Sequence, residues 1–294
     1  MTGVVSWQMT GVGLFLRATR KRAYATPERG RRRIAAPKVE APPPRKLAAR
    51  HEVTCRTVGG YPVWTVRPPV GSGRAAVYLH GGAYISGIAP QHWALIGRLA
   101  DAGVRVEVPL YGLAPQHTYR DAYPFVHEAY RQLAAEEPPQ GIALVGDSAG
   151  GGLALGLAQE LLGDAALRRV VLLSPWLDLT LSHPQLDEVG RRDPWLSKPG
   201  LREAAAVWAG GDDPTAPRLS PGNGPLEGLP PTTVLVGTHE LCLPDSTDFV
   251  TAARKAGVEA DLTVVEGALH VYPLLPVPEG AEGTRQVVAA VATS

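Results

Sequence analysis

Cysteine is scarce in this chain: Cys55 and Cys242 are the two among 294 residues. They allow at most one bridge and fall in no metal-type spacing, which argues against a disulfide scaffold and favours a reducing, cytoplasmic setting. Long apolar runs are missing too. No stretch approaches the roughly 20 residues that a membrane span requires. Val12-Gly13-Leu14-Phe15-Leu16 is short, and Arg17, Arg20, Lys21 and Arg22 follow it instead of preceding it, the wrong order for a secretory signal. No internal repeat and no low-complexity tract stands out.

Net charge is also small, at +1, but it is unevenly spread. Residues 1–50 hold twelve Lys and Arg against two acids, Glu28 and Glu40, while the rest of the chain holds 17 basic and 26 acidic residues. A basic arm on an acidic body folds back on it, touches an anionic surface, or serves solubility. The arm matches no nucleic-acid-binding module, so no nucleic-acid partner is expected. Residues from Trp7 to about Arg33 have helical composition, and the prolines from Pro37 to Pro44 break any helix before the main domain. The arm is therefore expected to form part of a cap, with peripheral membrane contact through its apolar side as a weaker alternative. Self-association as a homo-oligomer is left open.

From about residue 51 the pattern alternates strands and helices. Val53–Thr57 and Val63–Val66 flank Gly59-Gly60 as a hairpin, and Ala75–Leu79, Val104–Val108, Ile142–Val145, Val170–Leu173, Thr233–Val236 and Leu262–Val265 read as buried strands. Helices are expected near 91–102, 121–136, 246–256 and 284–291, with another after Ser148. This is an α/β fold, a mostly parallel sheet covered by helices on both faces. A segment at about 178–228, rich in Pro, Asp and Trp, interrupts the alternation and reads as a cap insertion into a 51–294 domain.

The chemistry centres on Gly146-Asp147-Ser148-Ala149-Gly150, which fits Gly-x-Ser-x-Gly between a strand and a helix. In such an elbow a tight, strained turn lifts a serine hydroxyl above the sheet edge. A serine needs a base, normally a histidine, which in turn needs a carboxylate, in the chain order Ser, acid, His. His270 lies in a loop directly after a predicted strand. Glu240 stands just beyond the strand at Val236, and Asp245 is the alternative acid, although it could instead cap the following helix. Asp178 and Asp187 read as structural. Oxyanion donors are expected from the backbone of Ala149 and of the turn Gly81, Gly82 and Ala83. No Gly-Lys-Ser/Thr pattern follows that turn, which argues against a phosphate cradle.

Four stretches together resemble the hormone-sensitive lipase family of α/β-hydrolase esterases, of the bacterial acetyl- and carboxylesterase type. His80-Gly81-Gly82-Ala83-Tyr84 is similar to that family's His-Gly-Gly-Gly turn and Tyr111-Gly112-Leu113-Ala114-Pro115 to its Tyr-Arg-Leu-Ala-Pro segment. The elbow at Ser148 and the loop around His270 match as well. Three departures stand out: Ala83 replaces the third glycine, Glu240 the usual aspartate, and Gly112 the usual arginine. The resemblance implies an α/β-hydrolase fold with a helical cap and hydrolysis of short- to medium-chain carboxylic esters through an acyl-enzyme, without cofactor or metal. Tyr84, Trp176, Trp195, Trp208 and Leu241 are candidates to line the pocket for a small-molecule ester, each as easily plain cap core. An amidase or deacetylase of acetylated small molecules or sterols would use the same three residues. A non-catalytic ligand-binding protein, as in the plant gibberellin receptors that resemble this family, is disfavoured because those lose the histidine.

Overall fold

The computed structural model describes residues 5–136 and 140–292. Its centre is an eight-stranded sheet ordered β1-β2-β4-β3-β5-β6-β7-β8, built from Glu52–Val58, Tyr61–Arg67, Ala75–Leu79, Arg105–Pro109, Ile142–Asp147, Leu167–Leu173, Thr232–His239 and Ala260–Leu269 in chain order. Strand β2 is antiparallel to both its neighbours, and every pairing from β4 to β8 is parallel. The hairpin between β1 and β2 turns at Gly59 and Gly60, both at positive φ, as a two-residue turn demands. Strand β1 forms one edge; its mostly exposed positions include Glu52, a charge that helps to blunt an open edge.

Strand β3 shows why the sheet must be covered twice. All five of its residues are buried; Ala75, Val77 and Leu79 enter one apolar cluster, while Ala76 and Tyr78 enter the other. Successive side chains of a strand point to opposite faces, so each face needs its own helical layer. The first layer includes α5 (Tyr119–Glu136) and α6 (Ala149–Glu160), and the second includes α4 (Pro90–Asp101) and α10 (Pro278–Ala292). Helix α9 (Leu243–Lys255) follows β7.

The basic arm departs from the single helical stretch expected for it. It forms α1 (Trp7–Thr19) and α2 (Pro27–Ala35), separated by residues 20–26 with a 3-10 turn at Lys21–Ala23. The Thr26 side chain accepts from Arg29 N, and Pro27 occupies the first turn, so local capping starts a new helix where composition alone suggested continuity. A short α3 (Arg45–Ala48) precedes β1. Between β6 and β7 lie α7 (Leu186–Arg192) and α8 (Lys198–Ala209). Helix α2 crosses α8 closely: a Cβ on Gly30 would stand 2.8 Å from the Gly200 Cα. Lys21 donates to the carbonyls of Gly190 and Asp193, which ties the arm to the same insertion.

Candidate active site

Ser148 sits between the end of β5 and the start of α6 with φ of 52° and ψ of −121°. A non-glycine residue in that region is strained and persists only where its surroundings hold it. Here the hold is steric and explains the motif's glycines. A Cβ on Gly146 would strike the Gly150 carbonyl, and one on Gly150 would strike the carbonyls of Leu79 and His80 on the neighbouring strand. The Ser148 N–H donates to Leu173 O at 2.8 Å, and its carbonyl accepts from Trp176 N at 2.9 Å, which leaves the hydroxyl for chemistry.

That hydroxyl donates to His270 Nε2 at 2.9 Å, and His270 Nδ1–H donates to Glu240 Oε2 at 2.7 Å. The three residues come from the carboxyl ends of β5, β7 and β8, where ligand-facing groups of a parallel sheet gather. Glu240 is fully buried, and its other oxygen accepts from Ser174 Oγ at 2.8 Å and Gly237 N at 2.5 Å. Ser174 Oγ in turn accepts from Val271 N at 2.9 Å, so one hydroxyl fixes both the carboxylate and the backbone beside the imidazole. Burial alone would depress the His270 pKa. The hydrogen bond and charge of Glu240, followed by the charges of Asp193 and Asp147, outweigh it and hold the pKa above the ordinary histidine value.

Asp245 makes no hydrogen bond to His270. Helix α9 begins at Leu243, three residues earlier than expected, with Cys242 at its N-cap. Asp245 therefore lies inside the first turn as neither cap nor relay member, and burial and the charge of Asp178 push its pKa up to about 6. The alternative acid is corrected on that ground. Asp178 holds its own loop, accepting from Thr180 N and Ser182 N at 2.8 and 3.0 Å.

The glycine-rich turn presses against the elbow. Gly81 N donates to Asp147 Oδ1 at 3.0 Å, and this corrects the place given to Gly81 among the oxyanion donors: its N–H is already spent. A Cβ on Gly81 would collide with the Asp147 carboxylate and stand 3.0 Å from Ser148 Cβ. Gly82 has φ of 125°, and Ala83 takes φ of 54° despite its methyl. Among the described residues, the N–H groups of Gly82, Ala83 and Ala149 donate to no protein acceptor. Asp147 is the anchor. Burial opposes its charge, but His92, Tyr78 and Gly81 outweigh that and hold the carboxyl below its usual pKa.

The aromatic candidates separate into two groups. Tyr84 stacks on Trp208 at 4.2 Å and on Trp176 at 5.9 Å, and all three are buried. Trp195, half-buried, meets the His270 ring edge-on at 5.8 Å. Leu241 is buried, and its N–H donates to Asp193 Oδ2 at 3.0 Å. Asp193 itself escaped sequence reasoning. It is fully buried, accepts from Trp195 N and Leu196 N at 2.7 and 2.8 Å, and so joins the insertion to the residue after Glu240. An Asp-x-Trp in a loop carried no signal of this. Gly112 also finds its reason: a Cβ there would enter the His117 ring, which fills the volume and bonds Tyr61 OH at 2.9 Å.

Glu240, Cys242 and His270 offer donor atoms within 4.8 Å of one another. Burial and the nearby charges of Glu240, Asp245 and Asp193 push the Cys242 thiol well above its ordinary pKa. A protonated thiol is a poor metal ligand, and the other two groups are joined in the relay.

Residues 76–274 match the model of an α/β hydrolase fold family. This chain is an α/β-hydrolase of the hormone-sensitive lipase type. The hydrolase is 35% identical over 242 residues to an acetyl-hydrolase of Streptomyces hygroscopicus, covering 80% of this chain and 79% of the relative. It is 34% identical over 202 residues to an esterase of Acinetobacter venetianus, covering 67% of each. A crystal structure of an esterase from the bacterial hormone-sensitive lipase family superposes with a TM-score of 0.80 at 29% identity, covering 99% of both chains. No helix among the hydrolase's described residues is long and apolar enough to cross a membrane.

Proposed function

We propose that this hydrolase is a serine carboxylesterase acting on small esters with short acyl groups. The observation that carries the reading is the hydrogen-bonded chain from Ser148 through His270 to Glu240, at 2.9 and 2.7 Å, beside three unspent backbone donors. His270 Nε2 takes the Ser148 proton as Oγ bonds to the ester carbonyl carbon. The oxyanion so formed is held by the N–H groups of Gly82, Ala83 and Ala149. Collapse breaks the carbon–oxygen bond to the alcohol, which leaves with the proton from His270. A water deprotonated by His270 then attacks the acyl-enzyme, and the acid departs as Ser148 recovers its proton. Glu240 keeps the His270 tautomer and stabilises the imidazolium.

Short acyl groups are favoured because Tyr84, next after the oxyanion turn, already stacks against Trp208 and Trp176 and fills volume there. The relative named an acetyl-hydrolase agrees with this. Residues 1–50 and about 178–228 act as the cap, joined through α2 on α8 and through Lys21. The free thiols at Cys55 and Cys242 support a reducing, cytoplasmic setting. The test is hydrolysis of p-nitrophenyl esters of rising chain length, alongside acetylated amides, by the wild type and by Ser148→Ala. Turnover is expected to peak at short esters and to vanish in the variant with its fold intact; retained hydrolysis would remove Ser148 from the mechanism.

A further inference from the structure

Helix α1 is apolar on two opposite sides, and only one of them is used. Met9 and Leu16 are buried, Gly13 packs on Leu269 next to His270, and Ser6 donates to Glu279 on α10. On the other side Trp7, Leu14 and Phe15 are 80%, 65% and 60% exposed. Their spacing of seven and eight residues puts them on one face. An apolar helix face is normally turned toward a core, yet among the described residues nothing covers this one.

We propose that the outer face of α1 docks on an anionic phospholipid surface. Charge decides the occupant. The first acidic residue of the chain is Glu28, while Arg17, Arg20 and Arg22 are exposed just beyond Phe15. A second copy in a two-fold contact would bring identical cationic faces together, which repel. Anionic headgroups would instead neutralise the arginines while Trp7, Leu14 and Phe15 enter the headgroup boundary. With 13 residues the helix is too short to span a bilayer and lies in its plane. Because α1 packs on Leu269, and Arg17 and Lys21 grip the carbonyls of Arg192, Gly190 and Asp193, docking brings the His270 loop next to lipid-dissolved esters.

The experiment is co-sedimentation of the full chain with phosphatidylcholine vesicles, with and without phosphatidylglycerol, reading p-nitrophenyl acetate hydrolysis in solution as the control for folding. The wild type is expected to bind the anionic vesicles at least about tenfold better, with binding falling as salt rises. The triple variant Trp7→Ala, Leu14→Ser, Phe15→Ser loses binding while hydrolysing the soluble ester at the wild-type rate. Trp7→Ala alone repeats the loss in part should the triple variant fold poorly, and Arg20→Gln with Arg22→Gln weakens binding and flattens its salt dependence. Equal binding to neutral vesicles, or undiminished binding by the triple variant, overturns the proposal. So does a dimer in sedimentation velocity that the triple variant turns into monomer, since that assigns the face to a second copy.

Discussion

Replacing Glu240 by Gln changes one atom and tests the whole relay. The carboxylate accepts from His270 Nδ1 on one oxygen and from Ser174 Oγ and Gly237 N on the other. A glutamine has a single acceptor oxygen. If that oxygen keeps Ser174 and Gly237, the amide NH2 faces Nδ1, which must then be the acceptor, and the imidazole proton moves to Nε2, where Ser148 needs a base. If the amide flips, NH2 opposes Gly237 N–H, and a buried donor left unpaired costs about 1–3 kcal/mol. The first arrangement keeps two bonds and wins, so the variant folds with the wrong tautomer. An equivalent change in other serine triads lowers kcat by about 10⁴. At about 1.4 kcal/mol per decade, a loss of 10³–10⁴ is about 4–5.5 kcal/mol of transition-state stabilisation. The pH profile adds a second readout. Activity needs neutral His270 and is lost as pH falls through its raised pKa; with the Glu240 charge removed that pKa drops, and the acid limb moves to lower pH. Initial rates on p-nitrophenyl acetate between about pH 5 and 9, with circular dichroism, measure both effects. A Glu240→Gln variant within tenfold of wild type, or an equal loss in Asp245→Asn, would refute the reasoning.

Gly150→Ala would drive a methyl into the carbonyls of Leu79 and His80, which are backbone and cannot swing aside; urea unfolding should show a loss of about 2–3 kcal/mol. Gly11→Ala, in open space within α1, should instead gain about 0.5–1 kcal/mol. Asp245→Asn should leave turnover unchanged. The folded pKa of Asp245 stands at about 6, above the ordinary 3.8, so the folded state holds the extra proton and wild-type stability falls as pH rises from about 4 to 6. At about 1.4 kcal/mol for each of roughly two pH units, the Asn variant should accordingly be about 3 kcal/mol more stable at pH 8 and equal at pH 4, read from urea melts. Gly112→Arg should destabilise by collision with the His117 ring, and His117→Ala in the same chain should recover part of the loss; simple additivity of the two would contradict the steric account.

What could be read without coordinates were the features that depend on local periodicity and on the demands of one tight turn. Alternating buried strands and helices follow from side-chain direction along each element, and the Ala75–Leu79 strand is found at its expected bounds. Gly-x-Ser-x-Gly is legible because its glycines answer steric needs that any chain in that turn would share. The tertiary structure decided what depends on which groups meet across space. Glu240 and Asp245 are five residues apart and chemically alike, yet only the first lies where β7 ends beside the His270 loop, since α9 begins early and turns Asp245 away. Gly81 looks as good a donor as Gly82 until Asp147, 66 residues on, takes its N–H. Asp193 became visible only when the Trp195, Leu196 and Leu241 amides converged on it, because a hydrogen bond depends on distance and angle between groups the sequence keeps far apart.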